Sequence, residues 1–179
     1  MVLASSSPRR LGLLRSIGVE PEVRPADLDE TPLDDEAPAA YVNRLARAKA
    51  QAVARPGEVV VAADTTVVID GRIIGKPGDR AEALDTLRTL SGRTHTVYTG
   101  VAVVSPTGTV AVTVTSEVTF VKISDDVLDW YVDSPEPYDK AGAYGLQAAG
   151  AMLVASVQGS VSNVLGLPLA ELHDLMLSR

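Results

Sequence analysis

Ser5-Ser6-Ser7-Pro8-Arg9-Arg10 places hydroxyls, main-chain amides and two guanidinium groups at the start of a segment that reads as a helix. A helix start attracts anions because its first amides have no intrahelical partner and its dipole favours negative charge. Arginines there oppose the dipole by roughly 0.3–1 kcal/mol, and a bound phosphate would turn that opposition into mutual attraction. A solvated basic surface turn is the other reading of the same residues, and spacing does not choose between them. Asp64 follows the apolar run 59–63, where a carboxylate either hydrogen-bonds a turn or projects from a strand end into a site. Lys76 lies between Gly75 and Pro77. A Walker-type phosphate loop needs four residues between its glycines and Ser or Thr after the lysine, whereas Gly71 and Gly75 enclose three and Pro77 follows, so that class of ATPase is excluded. Taken alone, Lys76 reads as an exposed turn lysine.

The stretch 139–147, Asp-Lys-Ala-Gly-Ala-Tyr-Gly-Leu-Gln, joins charged groups to glycines that allow tight turns and close backbone approach. It could wrap a flat ligand, or it could be a structural crossover in which Lys140 pairs with Asp139. His95 and His173 are not at ligand spacing, so a histidine-based zinc site is not expected. A divalent ion would have to sit on carboxylates and ligand phosphates, which is the chemistry of magnesium or manganese.

Several elements must position these groups. Residues 2–4 read as a short buried strand, and Pro8 suits the first turn of a helix that Ser can cap and Gly18 can stop. Residues 20–38 carry four prolines and read as an extended acidic loop with Asp29-Glu30 at its tip. Residues 39–54 predict an amphipathic helix with Tyr41, Leu45, Ala48 and Ala52 inward and Arg44, Arg47 and Lys49 off that stripe. A central strand is expected over 59–63, interrupted at 64–66, then a strand over 67–69 and a hairpin turn at Asp70-Gly71. A helix over 80–90, paired strands near 97–104 and 110–121, a helix capped by Ser124, a strand near 152–157 and a helix from Pro168 complete the order. This is an α/β pattern, without internal repeat or linker, and one domain over 1–179 is expected.

The 16 basic residues against 23 acidic ones disfavour a general nucleic-acid binder, so any anion site must be local. There is no cysteine for a disulfide or thiolate site, which suits a reducing compartment, and the cytoplasm is the expected location. No apolar stretch has the length for a membrane span, and residues 1–4 lack the charged flank of a signal peptide.

Four segments together, Leu3 to Arg10, Ala63-Asp64-Thr65, Gly75-Lys76-Pro77 and Asp139 to Gly145, resemble the Maf (septum formation inhibitor) family in order and separation across essentially the whole chain. The resemblance implies a long mixed sheet flanked by helices with a substrate cleft, similar to the inosine triphosphate pyrophosphatases, and a homodimer. It implies hydrolysis of a nucleoside triphosphate between its α and β phosphates, with Mg2+ or Mn2+. By motif, Ser5, Ser7, Arg9, Arg10, Lys49 and Lys140 would bind phosphate, Lys76 would act at the reacting phosphates, and Glu30 and Asp64 would hold the metal. Asp64 would also accept a proton. The loop at 143–147 is similar to that of the dTTP- and UTP-specific subgroup, with Gln147, Thr65 and Arg9 at positions linked to specificity. Val161-Ser162 departs from an aromatic pair found in many relatives. Two other accounts compete: a non-catalytic nucleotide-sensing or cell-division module, which would not need Glu30 and Asp64, and a house-cleaning pyrophosphatase preferring purine or modified nucleotides.

Overall fold

Val2-Leu3 and Val60 to Ala63 are apolar without alternation because the strands that contain them are covered on both faces. The computed structural model describes residues 1–178; Arg179, the last residue of the expected domain, lies outside them. The elements in chain order are β1 (Val2–Leu3), α1 (Pro8–Ser16), β2 (Glu22–Val23), α2 (Pro38–Val53), β3 (Val60–Ile69), β4 (Arg72–Ile74), α3 (Arg80–Leu90), β5 (Thr94–Ser105), β6 (Gly108–Phe120), α4 (Asp125–Val132), β7 (Val154–Gln158), α5 (Val161–Val164) and α6 (Leu169–Leu177). The class is α/β and the pairing is mixed. β1 is parallel to β2 and β3, β4 and β3 are antiparallel, β6 and β7 are antiparallel, and the strand order is β2-β1-β3-β5-β6-β7 with β4 on β3.

The chain forms two compact units: one of Met1–Thr65, Tyr98–Val114 and the residues from Ser162, the other of Thr66–Val97 and Thr115–Val161. In the first, Leu3, Val61 and Ala63 pack with Leu13 and Leu14 of α1 and Leu172 of α6, while Val2, Val60 and Ala62 pack with Ala46 and Ala50 of α2. Helices therefore cover both faces of β1 and β3. A Cβ on Gly100 of β5 would lie 2.2 Å from the Val42 carbonyl oxygen, so only glycine lets α2 come this close.

Three expectations are corrected here. The buried residues of α2 are Val42, Leu45, Ala46, Lys49 and Ala50, so the inward stripe lies about one position round from the expected one, and Lys49 is inside rather than on a basic flank. Alanine is too small to mark a face by itself, and the ammonium of Lys49 finds charge partners that repay its burial. Asp64 does not interrupt the apolar strand either; β3 runs unbroken through it, because its carboxylate is paired and needs no turn. Ser7 and Ser124 do stand at helix N-caps, yet neither side chain makes a capping bond. At α1 the amide of Ser7 donates to Ser5 Oγ instead (3.2 Å).

In the second unit, Asp70 and Gly71 both take left-handed φ, 51° and 73°, giving the expected tight hairpin between β3 and β4. Asp79 caps α3 by accepting from the Glu82 amide (2.9 Å). Arg80 joins α3 to Asp129 and Asp133 near α4, an exposed link worth little in stability. His95, Phe120 and Tyr144 meet edge to face, and His95 Nε2 and the Tyr144 hydroxyl are 2.8 Å apart. Burial pushes the His95 pKa down to about 4.

Candidate active site

Strand alternation decides how the polar residues of the first unit divide. Asp64 follows Val60 and Ala62 onto the α2 face, and Thr65 follows Val61 and Ala63 onto the face of α1 and α6. Consecutive residues of β3 thus serve two different helices.

On the α2 face, Lys49 Nζ donates to Asp64 Oδ1 (2.6 Å) and lies 2.8 Å from Glu30 Oε1. Lys49 and Asp64 are 8% and 7% exposed, so this is a buried ion pair, whereas about half of the Glu30 side chain is exposed. Glu30 is held by neighbours that sequence reading overlooked. The Tyr41 hydroxyl donates to the Glu30 carbonyl (2.9 Å), and its pKa is pushed up to about 12 by burial and then by the charges of Asp64 and Glu30. Arg44 grips Glu36 with two 2.7 Å bonds and reaches the Thr31 carbonyl at 3.2 Å, fastening the acidic segment to α2. Tyr41 and Arg44 lie three apart on one helix, the spacing that could have pointed to them.

On the other face, Arg10 donates through Nε to the Gly166 carbonyl (2.8 Å), through Nη1 to Ser5 Oγ (3.1 Å) and through Nη2 to Thr65 Oγ1 (3.1 Å). Burial lowers the pKa of its guanidinium, and Arg9 pulls the same way, against the opposing charges of Asp64 and Glu30. Arg10 is therefore within the field of both carboxylates although these three bonds go elsewhere. Ser5, Arg10, Thr65, Lys49, Glu30 and Asp64 all belong to this unit, as do Ser7 at the N-cap of α1 and Arg9 in its first turn.

Lys76, Lys140 and Gln147 belong to the second unit. Lys76 and Gln147 are exposed. The Gly75 carbonyl beside Lys76 accepts from the Gly142 amide (3.1 Å), which ties the turn to the glycine-rich loop. Lys140 is engaged locally: its Nζ donates to the Glu136 carbonyl (2.6 Å) and pairs with Asp139. Glu136 is the anchor that sequence reading missed. Its carboxylate accepts from the Tyr131 hydroxyl (3.1 Å), the Ala149 amide (3.0 Å) and the Gly150 amide (3.0 Å), closing the loop that carries Gln147.

Two carboxylates beside one ammonium leave a surplus negative charge and hard oxygen donors at one place. Among the described residues no cluster of three or more His, Cys, Asp or Glu could cage a metal by itself. Glu30 and Asp64 fit the kind of site in which one or two carboxylates share magnesium with water and ligand phosphates. No described helix is long and apolar enough to cross a membrane.

A family model described as Maf-like protein matches residues 1–179. A dTTP/UTP pyrophosphatase of Anaeromyxobacter dehalogenans (strain 2CP-C) is 52% identical over 98% of this chain and 92% of that protein. One of Myxococcus xanthus (strain DK1622) is 53% identical over 98% of this chain and 90% of that protein. Among solved structures, a nucleoside-triphosphatase (dITP/XTP pyrophosphatase) of Mycobacterium abscessus covers 68% of this chain and 74% of its own, with 21% identity and a TM-score of 0.42. The Staphylococcus aureus Ham1 protein covers 66% of this chain and 70% of its own, with 16% identity and a TM-score of 0.44.

Proposed function

This chain belongs to the Maf-like protein family, and we propose that it hydrolyses dTTP and UTP to the nucleoside monophosphate and pyrophosphate. The observation that carries the reading is the buried Lys49–Asp64 pair, with Glu30 beside it and Arg10 close enough to feel both carboxylates. A non-catalytic nucleotide-sensing module would need the basic residues but not the two carboxylates, Glu30 and Asp64, that meet at Lys49.

Water attacks the α-phosphorus; its oxygen forms the new bond, and the bond from that phosphorus to the bridging oxygen breaks to release pyrophosphate. Asp64 accepts the proton of the attacking water. Lys49 orients Asp64 at 2.6 Å and offsets negative charge that grows on the phosphoryl oxygens. Glu30 and Asp64 would hold Mg2+ or Mn2+, which when bound neutralises phosphate charge and polarises water. Ser5, Ser7, Arg9 and Arg10 hold phosphates from the start of α1, and Lys76 adds positive charge to the leaving pyrophosphate. Exposed Gln147, which can both donate and accept, reads the pyrimidine edge. A homodimer in the cytoplasm completes the reading.

A panel of nucleoside triphosphates with magnesium or manganese tests it. Monophosphate and pyrophosphate are expected, with dTTP and UTP the best substrates and Gln147→Ala flattening the preference. Diphosphate as first product, or a purine triphosphate with the highest kcat/KM, overturns it.

A further inference from the structure

Thr99 is fully buried in β5, and the roles above do not use it. Its Oγ1 lies 2.9 Å from the Asn163 carbonyl and 3.0 Å from Thr65 Oγ1, and Thr65 Oγ1 in turn lies 3.1 Å from Arg10 Nη2. The directions of these contacts follow from counting hydrogens. Arginine only donates and a carbonyl only accepts, while each threonine has one hydrogen to give. Thr99 therefore donates to Asn163, Thr65 donates to Thr99, and Arg10 donates to Thr65. All three contacts are satisfied in that single arrangement.

The chain also closes on itself. The Gly166 amide donates to the same Asn163 carbonyl (2.9 Å), and the Gly166 carbonyl accepts from Arg10 Nε (2.8 Å). Gly166 takes a left-handed φ of 99°, and a Cβ there would approach Thr65 Oγ1 to 3.3 Å, so the ring tolerates little at this corner. A closed ring of directed bonds locks β3, β5, α1 and the turn before α6 in one register around the residue next to Asp64.

We propose that Thr99 is a positioning residue, acting through Thr65 to hold the Arg10 guanidinium and the Asp64-Thr65 step of β3 in place for the reaction. The proposal rests on the pyrophosphatase reading of this site. It also assigns Thr65 a different part from a donor to the base: its one hydrogen is directed at Thr99, so toward any ligand Thr65 can only accept or provide shape.

The test compares Thr99→Val, which keeps shape and removes the hydroxyl, with Thr99→Ser, which keeps the hydroxyl. Readouts are kcat/KM on dTTP and the Arg10 Nε–H signal in proton–nitrogen NMR, with its exchange rate in water. Thr99→Val should lose about tenfold to a hundredfold in kcat/KM. Its Arg10 signal should shift and exchange faster. Thr99→Ser should restore both. If Thr99→Val does not fold, Thr65→Val makes the same comparison with the Thr99–Asn163 bond left in place. Retention of kcat/KM within about twofold with an unmoved Arg10 signal, even beside a lower melting temperature, overturns the proposal and leaves Thr99 a packing residue. A parent inactive on every nucleotide, with the Arg10 signal still shifted in Thr99→Val and restored in Thr99→Ser, defeats the pyrophosphatase reading and leaves the hydrogen-bond ring standing.

Discussion

Lys49 of the first unit and Lys140 of the second are about equally shielded from solvent, with side chains 10% and 14% accessible, yet their surroundings differ in kind. Lys49 comes from the buried face of a helix and has two carboxylates brought to it from distant parts of the chain, Glu30 and Asp64. Lys140 bonds a main-chain carbonyl four residues away and the carboxylate of its neighbour, Asp139. The first arrangement concentrates charge at a place where a reaction can use it. The other staples a loop, with Glu136 fastening the far end through the Ala149 and Gly150 amides. A buried lysine beside an acid is therefore not by itself a sign of catalysis; what matters is whether its partners are brought from elsewhere or are local.

The largest expected effect tests the catalytic side of that contrast. Asp64→Asn should cut kcat by about 10² to 10⁴, the usual worth of general-base assistance. Sequence alone suggests that this change leaves the fold unstrained, but the structure adds a cost: Lys49 keeps only Glu30 as a charged partner, so about 1–3 kcal/mol of stability should go as well. Steady-state kinetics beside chemical denaturation separates the two losses, and turnover within about tenfold of the parent would reduce Asp64 to a structural residue.

Exchanging the two lysines for methionine sharpens the comparison directly. Lys49→Met strands buried Asp64 and should cost about 3 kcal/mol or more, with turnover falling by at least about a hundredfold. Lys140→Met should cost about 1–2 kcal/mol, with turnover on dTTP held within about tenfold. Equal loss of turnover in the two variants would mean that Lys140 acts on phosphate and that its local bonds are incidental.

A smaller effect concerns the second unit in acid. The His95 pKa is depressed to about 4 by burial, below its unfolded value, so the unfolded chain binds this proton first. The stability is fully present above about pH 6.5 and is lost as pH falls toward 4. At pH 5 the loss from this group should be about 2 kcal/mol. Denaturation of the parent and His95→Gln at pH 7.5 and pH 5 should show the parent losing more; equal losses would show that His95 already titrates normally in the folded protein.

The smallest expected effect is Tyr41→Phe, which removes the bond to the Glu30 carbonyl and should cost about 0.5–1.5 kcal/mol. Activity should fall less than in Glu30→Gln, because the carboxylate itself stays. A drop as deep as that of Glu30→Gln would place the Tyr41 hydroxyl among the working groups.

Local chemistry was legible where it depends on neighbours in sequence. Asp70-Gly71 marks a hairpin because both residues must take left-handed φ, Pro8 marks the first turn of α1, and the Leu84, Leu87 and Leu90 spacing marks α3. The family was legible too, because four short motifs in one order are a one-dimensional signal. The inward face of α2 was not, since its alanines carry little hydrophobic contrast and its buried Lys49 reads as polar until Asp64 and Glu30 are seen beside it. Nor were Tyr41, Glu136 and Thr99, which are common residue types whose importance lies in what they touch. The sequence by itself determined the α/β class, most element positions and the set of charged residues available for chemistry. Tertiary structure alone decided that Asp64 turns to α2 and Thr65 to α1, that Lys140 bonds the Glu136 carbonyl, and that Thr99 closes a ring through Asn163 and Gly166. The physical reason is that helix and turn signals are short-range, whereas a buried polar group is satisfied by whichever partner the folded backbone brings within about 3 Å, and that partner lies anywhere along the chain.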